Sequence, residues 1–378
     1  MSARNPAAMT RGLVLLPPNR VWRTYTGGRT LDSLAGIANP ADSHFPEDWI
    51  GSTTRAVNAG REAIAEGISR VLVRGQSHDL ASLIATDPEY FLGAAHVAAF
   101  GTAPMLLVKF LDSATRLHFQ VHPTATFARQ FLGSPSGKTE AYHVLAVRDI
   151  RGADASAPGQ SVEPTGYIYL GFQRPPTRTA LRRMIEAQDL AALEACFDKI
   201  PVKPGDTYLV PGGVPHALGA GVFLVEVQEP SDLVVRFEFS RGGNTLPESA
   251  RFMGRNLDFC LDVFDLSAWS ASRLALEAAC PPKRRRALGP DSWQDDLIDA
   301  NRTRCFRVRR TRLGGEATKQ EQGFHIGIIT AGVVTISADG ERHRLGLHDK
   351  FFAPAGIGAL HYAPVGTAEI LECYPPEP

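Results

Sequence analysis

The stretch Arg116-Leu-His-Phe-Gln-Val-His-Pro123 places three side chains with metal-binding or proton-carrying atoms at alternate positions. In an extended strand successive side chains point to opposite faces. Phe119 and Val121 then face a core, while His118, Gln120 and His122 face the other way, toward a polar cavity. Two further candidates follow. Glu140 stands just past a Gly-Ser-Pro-Ser-Gly turn, and His216 follows the turn Pro211-Gly-Gly-Val-Pro at the end of another predicted strand. Two imidazoles, a carboxylate and an amide oxygen form a donor set for a divalent metal, with zinc first choice and a coordination position left for substrate.

These side chains need elements to carry them. Pro104-Met-Leu-Leu-Val-Lys-Phe-Leu reads as a buried strand within hairpin distance of the His-rich one, and Gly166-Tyr-Ile-Tyr-Leu-Gly-Phe as another. Short strands at 207–210, 222–228 and 232–239 are broken by Gly and Pro, a pattern of β-sandwiches and barrels rather than parallel sheets. Helical spacing appears over 79–100, and again over 177–199 as two short helices; Thr124 is a candidate N-cap for a helix ending near Phe131. Residues 151–164 have the composition of a surface loop, and 1–20 that of a loose lead-in.

Laying residues 203–216 on 346–359 reveals an internal echo. Lys-Pro-Gly-Asp206-Thr-Tyr-Leu-Val-Pro211-Gly-Gly matches Gly-Leu-His-Asp349-Lys-Phe-Phe-Ala-Pro354-Ala-Gly, with Asp opening a strand and Pro closing it in each copy. The repeat predicts two related barrels. The second has Ala359 where the first has His216, so it is expected to lack a metal; His325, His343 and His361 have no Gln-x-His strand beside them.

Composition bounds the partners. Lys plus Arg and Asp plus Glu each number 40, so no global field favours nucleic acid or a membrane surface. The basic run Lys283-Arg-Arg-Arg286 reads as a solvated linker. Five scattered cysteines without a Cys-x-x-Cys pair argue against a cysteine zinc site and a disulfide framework. Leu13-Val-Leu-Leu16 is too short for a signal-peptide core or a membrane span, and the chain reads as cytoplasmic.

Taken in order, Lys109-Phe-Leu-Asp, Gln120-Val-His-Pro, Gly137-Lys-Thr-Glu140, Val202-Lys-Pro-Gly-Asp, Pro-x-Gly-x-x-His-Ala-Leu-Gly-x-Gly and Glu226-x-Gln-x-x-Ser231-Asp resemble the type I mannose-6-phosphate isomerases, zinc-dependent cupin enzymes. The resemblance covers about residues 45–240 closely and the C-terminal part more loosely. It implies a mainly β fold of cupin (jelly-roll-like) barrels, two units with a few helices inserted. Residues 1–240 would form the catalytic metal-binding barrel with a helical insertion near 177–199. Residues 241–300 would be a partly helical linker, and 301–378 a small barrel without metal.

The resemblance puts one zinc per chain on Gln120, His122, Glu140 and His216, the same four read from strand faces and turns. It also implies Arg236, Lys138 and Glu226 as catalytic residues, with Glu226, a zinc-bound water or Lys138 as the proton shuttle. The implied reaction interconverts mannose 6-phosphate and fructose 6-phosphate through a cis-enediol. The same chemistry on a free sugar, and a non-catalytic sugar-binding metallo-cupin, are the alternatives. Where these isomerases usually read Leu-Ser-Ile-Gln, this chain reads Leu117-His118-Phe119-Gln120. That serine is a phosphate contact in the family, so the metal half of the site is intact and the phosphate half is altered. Substrate binding is then assigned to His118 and Lys203, with His118 as substrate contact, extra ligand or cavity residue. The partner is a small sugar or sugar phosphate, with no nucleic acid and no membrane.

Overall fold

A computed structural model describes residues 11–73, 75–150 and 166–378. The segment 151–164, read above as a surface loop, and residues 1–10 of the predicted lead-in lie outside the described residues. The fold is mainly β, with two barrels each built from two antiparallel sheets.

The first barrel pairs a six-stranded sheet with a five-stranded one. The larger sheet runs Thr207–Val210, Glu140–Val147, Val222–Gln228, Leu107–Asp112, Glu47–Ile50 and Arg20–Val21 in spatial order. The smaller runs Ile200–Pro201, Tyr167–Leu170, His216–Leu218, Gln120–Val121 and Val235–Arg236. Alternation makes the two faces of these strands different. Phe119, Val121 and Phe237 pack with Tyr169 and Phe197 on an aromatic core outside the small sheet, and the intervening polar residues turn inward. The helices Arg178–Ala187 and Leu190–Glu194 close that core with Leu181, Ile185 and Leu193. The predicted 79–100 helix is present in three pieces, Leu80–Thr86, Pro88–Leu92 and Ala94–Phe100, interrupted at Pro88 and Gly93. Thr124 caps its helix as predicted, its side chain accepting from Phe127 N at 3.1 Å.

The second barrel has a seven-stranded and a four-stranded sheet. Two boundaries differ from the sequence reading. Lys283–Gly289 and Ser292–Ile298, read as linker, are strands of the seven-stranded sheet, so only about 241–282 is connecting chain. The basic run pairs there with acids: Arg284 reaches Asp295 at 3.0 Å and Arg285 reaches Asp296 at 3.3 Å. A cross-strand acid row was the signal that a charge count missed. Likewise Val14–Leu15, within the predicted loose lead-in, pairs antiparallel with Lys350–Ala353 and so adds an N-terminal strand to the C-terminal barrel.

The internal echo is structural. Val210 pairs with Glu140 and, at the superposed position, Ala353 pairs with His325. In the first barrel Glu226 sits between Lys109 and Tyr142; in the second Glu372 sits between Arg309 and Gly327.

The 241–282 chain holds the His216 end of the first barrel. Gly171, at φ 66°, follows the strand that pairs with His216, and Trp269 lies against it, fully buried, with its backbone N–H on Phe172 O at 2.8 Å. A Cβ at position 171 would stand 2.2 Å from Trp269 Cγ. Gly171→Ala is therefore expected to destabilise the protein by ~1–3 kcal/mol through overpacking and the left-handed backbone. A denaturant midpoint unchanged from wild type would refute this close packing.

Candidate metal centre and active site

Three side chains from three strands converge inside the first barrel. His122 follows the Gln120–Val121 strand, Glu140 opens Glu140–Val147, and His216 opens His216–Leu218. Their ligand atoms lie within 4.8 Å of one another and all three residues are buried. Gln120 pairs directly with His216 across the sheet, which brings its amide to the same point.

The hydrogen bonds on the far side of each ring fix what faces the centre. His122 Nδ1 lies 2.8 Å from Leu233 O and His216 Nδ1 lies 2.8 Å from Val214 O. A carbonyl only accepts, so each Nδ1 carries the proton and each Nε2 presents a lone pair. Those lone pairs face a carboxylate: His122 Nε2 is 3.1 Å from Glu140 Oε1, and His216 Nε2 is 3.5 Å from Glu140 Oε2. Acceptors facing acceptors in a buried space repel unless a cation lies between them. Glu140 Oε1 accepts no hydrogen bond of good geometry among the described residues, its one close cation being the Lys138 ammonium at 2.9 Å. Gln120 Nε2 lies 3.2 Å from His216 Nε2, and the amide turned over would offer its oxygen instead. The donor set therefore fits a divalent metal held by Gln120, His122, Glu140 and His216. Tyr142 Oη donates to Glu140 Oε2 at 2.9 Å and orients the carboxylate.

Electrostatics agree with that assignment. Burial pulls the His122 imidazole down to about 3, with Lys138 adding to the effect and Glu140 opposing it. Burial also lowers His216, against the pull of Glu140. Burial raises the Glu140 carboxyl, but Lys138 and His122 outweigh it and hold it well below the usual range. Lys138 Nζ stands 2.9 Å from Glu140 Oε1 and 3.2 Å from His122 Nε2.

Beside this centre lies a buried chain of charges that sequence reading largely missed. Lys109 Nζ is 2.9 Å from Glu226 Oε2 and 3.7 Å from Glu47 Oε2. Glu47 also accepts from Arg23 Nε at 3.0 Å, Tyr25 Oη at 2.7 Å and Trp49 Nε1 at 2.6 Å. Arg23 in turn holds Asp232 through two bonds, at 3.0 and 3.1 Å. The signal for Lys109 was a lone lysine in an otherwise apolar strand, which a buried-strand reading absorbed. Burial raises the Glu47 carboxyl, yet Arg23 and Lys109 bring it to about 2. Glu226 goes the other way, up to about 7, because burial and the Glu140 charge outweigh Lys109 and Lys138.

Arg236, Lys138, Glu226, His118 and Gln120 line one cavity with this chain of charges. Arg236 is placed by the Val235–Arg236 strand, opposite Gln120, and donates to Ala250 O at 2.8 Å. Loss of water around it lowers the guanidinium to about 10, although Asp232 pulls upward. His118 is buried; desolvation lowers its imidazole to about 4, with Glu238 opposing and Arg236 reinforcing. Lys203 is not part of the cavity. It is exposed in the turn before Thr207–Val210, at the end of that strand away from Val210 and Glu140, and its assignment as a substrate contact is corrected. The space left in the cavity is only about 30 Å³, so a molecule larger than water would fit only if lining side chains moved. A larger cavity of about 700 Å³, lined by Leu16, Phe110, Leu345 and Lys350 among others, contains none of the metal-ligand residues.

Comparison with known proteins follows the same lines. No family model matches the chain. Mannose-6-phosphate isomerase of Streptococcus mutans is 33% identical over 172 residues, 44% of this chain and 48% of that protein. The Bacillus subtilis protein named probable mannose-6-phosphate isomerase GmuF is 25% identical over 275 residues, 71% of this chain and 75% of that protein. The matched stretch thus spans about half the length of the first relative and three quarters of the second. Among solved structures, mannose 6-phosphate isomerase from Bacillus subtilis superposes with a TM-score of 0.71 at 18% identity, over 96% of this chain and 100% of that one. A phosphomannose isomerase variant from Salmonella typhimurium gives 0.66 at 16% identity, over 96% and 99%. This is the mannose-6-phosphate isomerase fold. The resemblance read from the ordered motifs is borne out, and so is the cupin architecture. Among the described residues, no helix of the mannose-6-phosphate isomerase fold here is long and apolar enough to cross a membrane.

Two measurements test the site. His122→Ala and His216→Ala should each abolish bound metal, read by elemental analysis of purified protein; wild-type stoichiometry in either would reject the ligand set. The second concerns acid. His118, His122, His143 and His325 are neutral when folded, with values of about 4, 3, 4 and 4, but titrate near ~6.5 once unfolded. The unfolded chain then binds more protons between roughly pH 6.5 and 4, so stability falls as pH drops through that window. The Tm of metal-free protein should be clearly lower at pH 5 than at pH 7; equal values would contradict neutral buried rings.

Proposed function

We propose that the chain is a zinc-dependent aldose–ketose isomerase that interconverts mannose 6-phosphate and fructose 6-phosphate. The observation that carries this reading is a cavity lined by Gln120 and Lys138, at the edge of the His122–Glu140–His216 cluster, and by a buried carboxyl, Glu226, poised near neutrality. Curated relatives named for that reaction support the substrate pair.

Isomerisation moves a proton between C1 and C2 through a cis-enediol. The mover must hold and release a proton near neutral pH, which favours a group with a pKa close to 7. Glu226, at about 7, fits better than Lys138, whose ammonium sits between Glu140 and His122. Lys109, 2.9 Å from Glu226, keeps that carboxyl oriented. When bound, zinc supplies a Lewis acid for the negative charge that develops on the substrate oxygens. Arg236, with no carboxylate within ion-pair distance among the described residues, has charge to spare for an enediolate or a phosphoryl group. A protein that only bound sugar would have no use for a carboxyl held near 7.

The first barrel is the catalytic unit in this proposal and the second is structural and metal-free. All five cysteines are unpaired, which supports a reducing compartment such as the cytoplasm.

Purified protein should convert mannose 6-phosphate to fructose 6-phosphate, lose the activity on chelation and regain it with zinc. Activity that survives full metal removal would overturn the reading. In kcat/KM, the rise with pH should follow Glu226 deprotonation near pH 7. Glu226→Gln should lower turnover by ~10²–10⁴ and remove that limb. A Glu226→Gln enzyme with the wild-type profile would assign the proton transfer to another group.

A further inference from the structure

Alternation along the strand puts His118 on the same face as Gln120, two residues from the metal centre, and its ring lines the catalytic cavity. The ring is held from behind. His118 Nδ1 lies 3.1 Å from the backbone carbonyl of Glu238, so in the neutral imidazole Nδ1 carries the hydrogen and Nε2 is an acceptor. Glu238 cannot shift to relieve this. Its carboxylate takes two bonds from Arg116, at 2.7 and 2.9 Å, and a third from Phe119 N at 3.0 Å, and the residue is fully buried. His118 Nε2 has no hydrogen-bond partner among the described residues.

Arg236 lines the same cavity and reaches Ala250 O through one guanidinium nitrogen, with no carboxylate within ion-pair distance among the described residues. This wall therefore offers N–H donors from Arg236 and a lone pair from His118. A hydroxyl satisfies both, since it accepts from a guanidinium and donates to an imidazole. An ionised phosphoryl oxygen only accepts, and against His118 Nε2 it would meet a lone pair.

We propose that His118 is a specificity-determining residue that accepts a hydrogen bond from a substrate hydroxyl beyond the reacting carbons, at C3 or C4. The phosphoryl end of the substrate then lies on another wall. This rests on the isomerase reading and adds to it which end of the sugar faces His118.

The test compares kcat/KM for mannose 6-phosphate, its 3-deoxy and 4-deoxy analogues, and free mannose. Wild-type enzyme, His118→Ala and His118→Gln are each assayed after metal content is checked. One deoxy analogue should lose roughly tenfold in wild type, the scale of a single neutral hydrogen bond. That loss should shrink to less than about threefold in His118→Ala and return in part in His118→Gln, whose amide oxygen also accepts. The preference for mannose 6-phosphate over mannose should stay within about threefold of wild type in His118→Ala. Equal deoxy losses in wild type and His118→Ala would overturn the proposal. So would a shift of tenfold or more in the phosphate preference, which would put the phosphoryl group at His118. A His118→Ala protein that lacks metal is replaced by His118→Gln, where loss of the deoxy penalty overturns the accepting role. Wild-type protein inactive on every sugar would instead defeat the isomerase reading, and this proposal with it.

Discussion

Everything at this site follows from two backbone carbonyls. Leu233 O and Val214 O take the Nδ1 hydrogens of His122 and His216, and so turn two Nε2 lone pairs on the Glu140 carboxylate. Three acceptors this close in a buried space repel one another; Lys138 relieves part of this, and a divalent cation between them would complete it. The same burial keeps both rings neutral, ready to ligate without losing a proton. The Glu140 charge also acts on its neighbour Glu226 and, together with burial, lifts that carboxyl toward neutrality. In the proposed site the ligand carboxylate and the acid–base carboxyl thus share one buried electrostatic environment.

The second barrel shows what the same scaffold does without that constraint. His325 stands at the register of Glu140, and Glu372 at that of Glu226. Here Lys319 forms a buried ion pair with Glu372, and Tyr374 and Gln294 complete its carboxylate. Burial raises the Glu372 carboxyl, but Lys319 and His325 bring it to about 2. An ammonium already neutralises this carboxylate, so the barrel interior closes on itself. One retained strand frame thus supports two outcomes: Glu226, paired with Lys109 but facing the Glu140 charge, is pushed up, whereas Glu372, paired with Lys319 beside His325, is held down.

The convergence of the candidate ligands was legible because period-two alternation and proline–glycine turns are local properties. Gln120, His122, Glu140 and His216 could be read from strand faces without knowing which strands meet. The charge chain was not legible in the same way. Arg23, Glu47, Lys109 and Asp232 come from distant segments, and each taken singly is an ordinary charged residue. Lys203 failed for a related reason: a lysine near the motif in sequence lies at the far end of its strand. The barrel boundary was missed at Lys283–Arg286 because a run of like charges resembles a linker until its acidic partner strand, with Asp295 and Asp296, is seen beside it.

The central claim is that the first barrel holds one metal through these four side chains and the second holds none. Diffraction recorded across the zinc absorption edge, from crystals of catalytically active protein, tests it directly. The account predicts one anomalous peak per chain, at ~2.0–2.2 Å from His122 Nε2, His216 Nε2 and a Glu140 oxygen, with the Gln120 amide oxygen turned toward it. A peak beside His325 and Glu372, or active protein with no peak between His122 and His216, would contradict it.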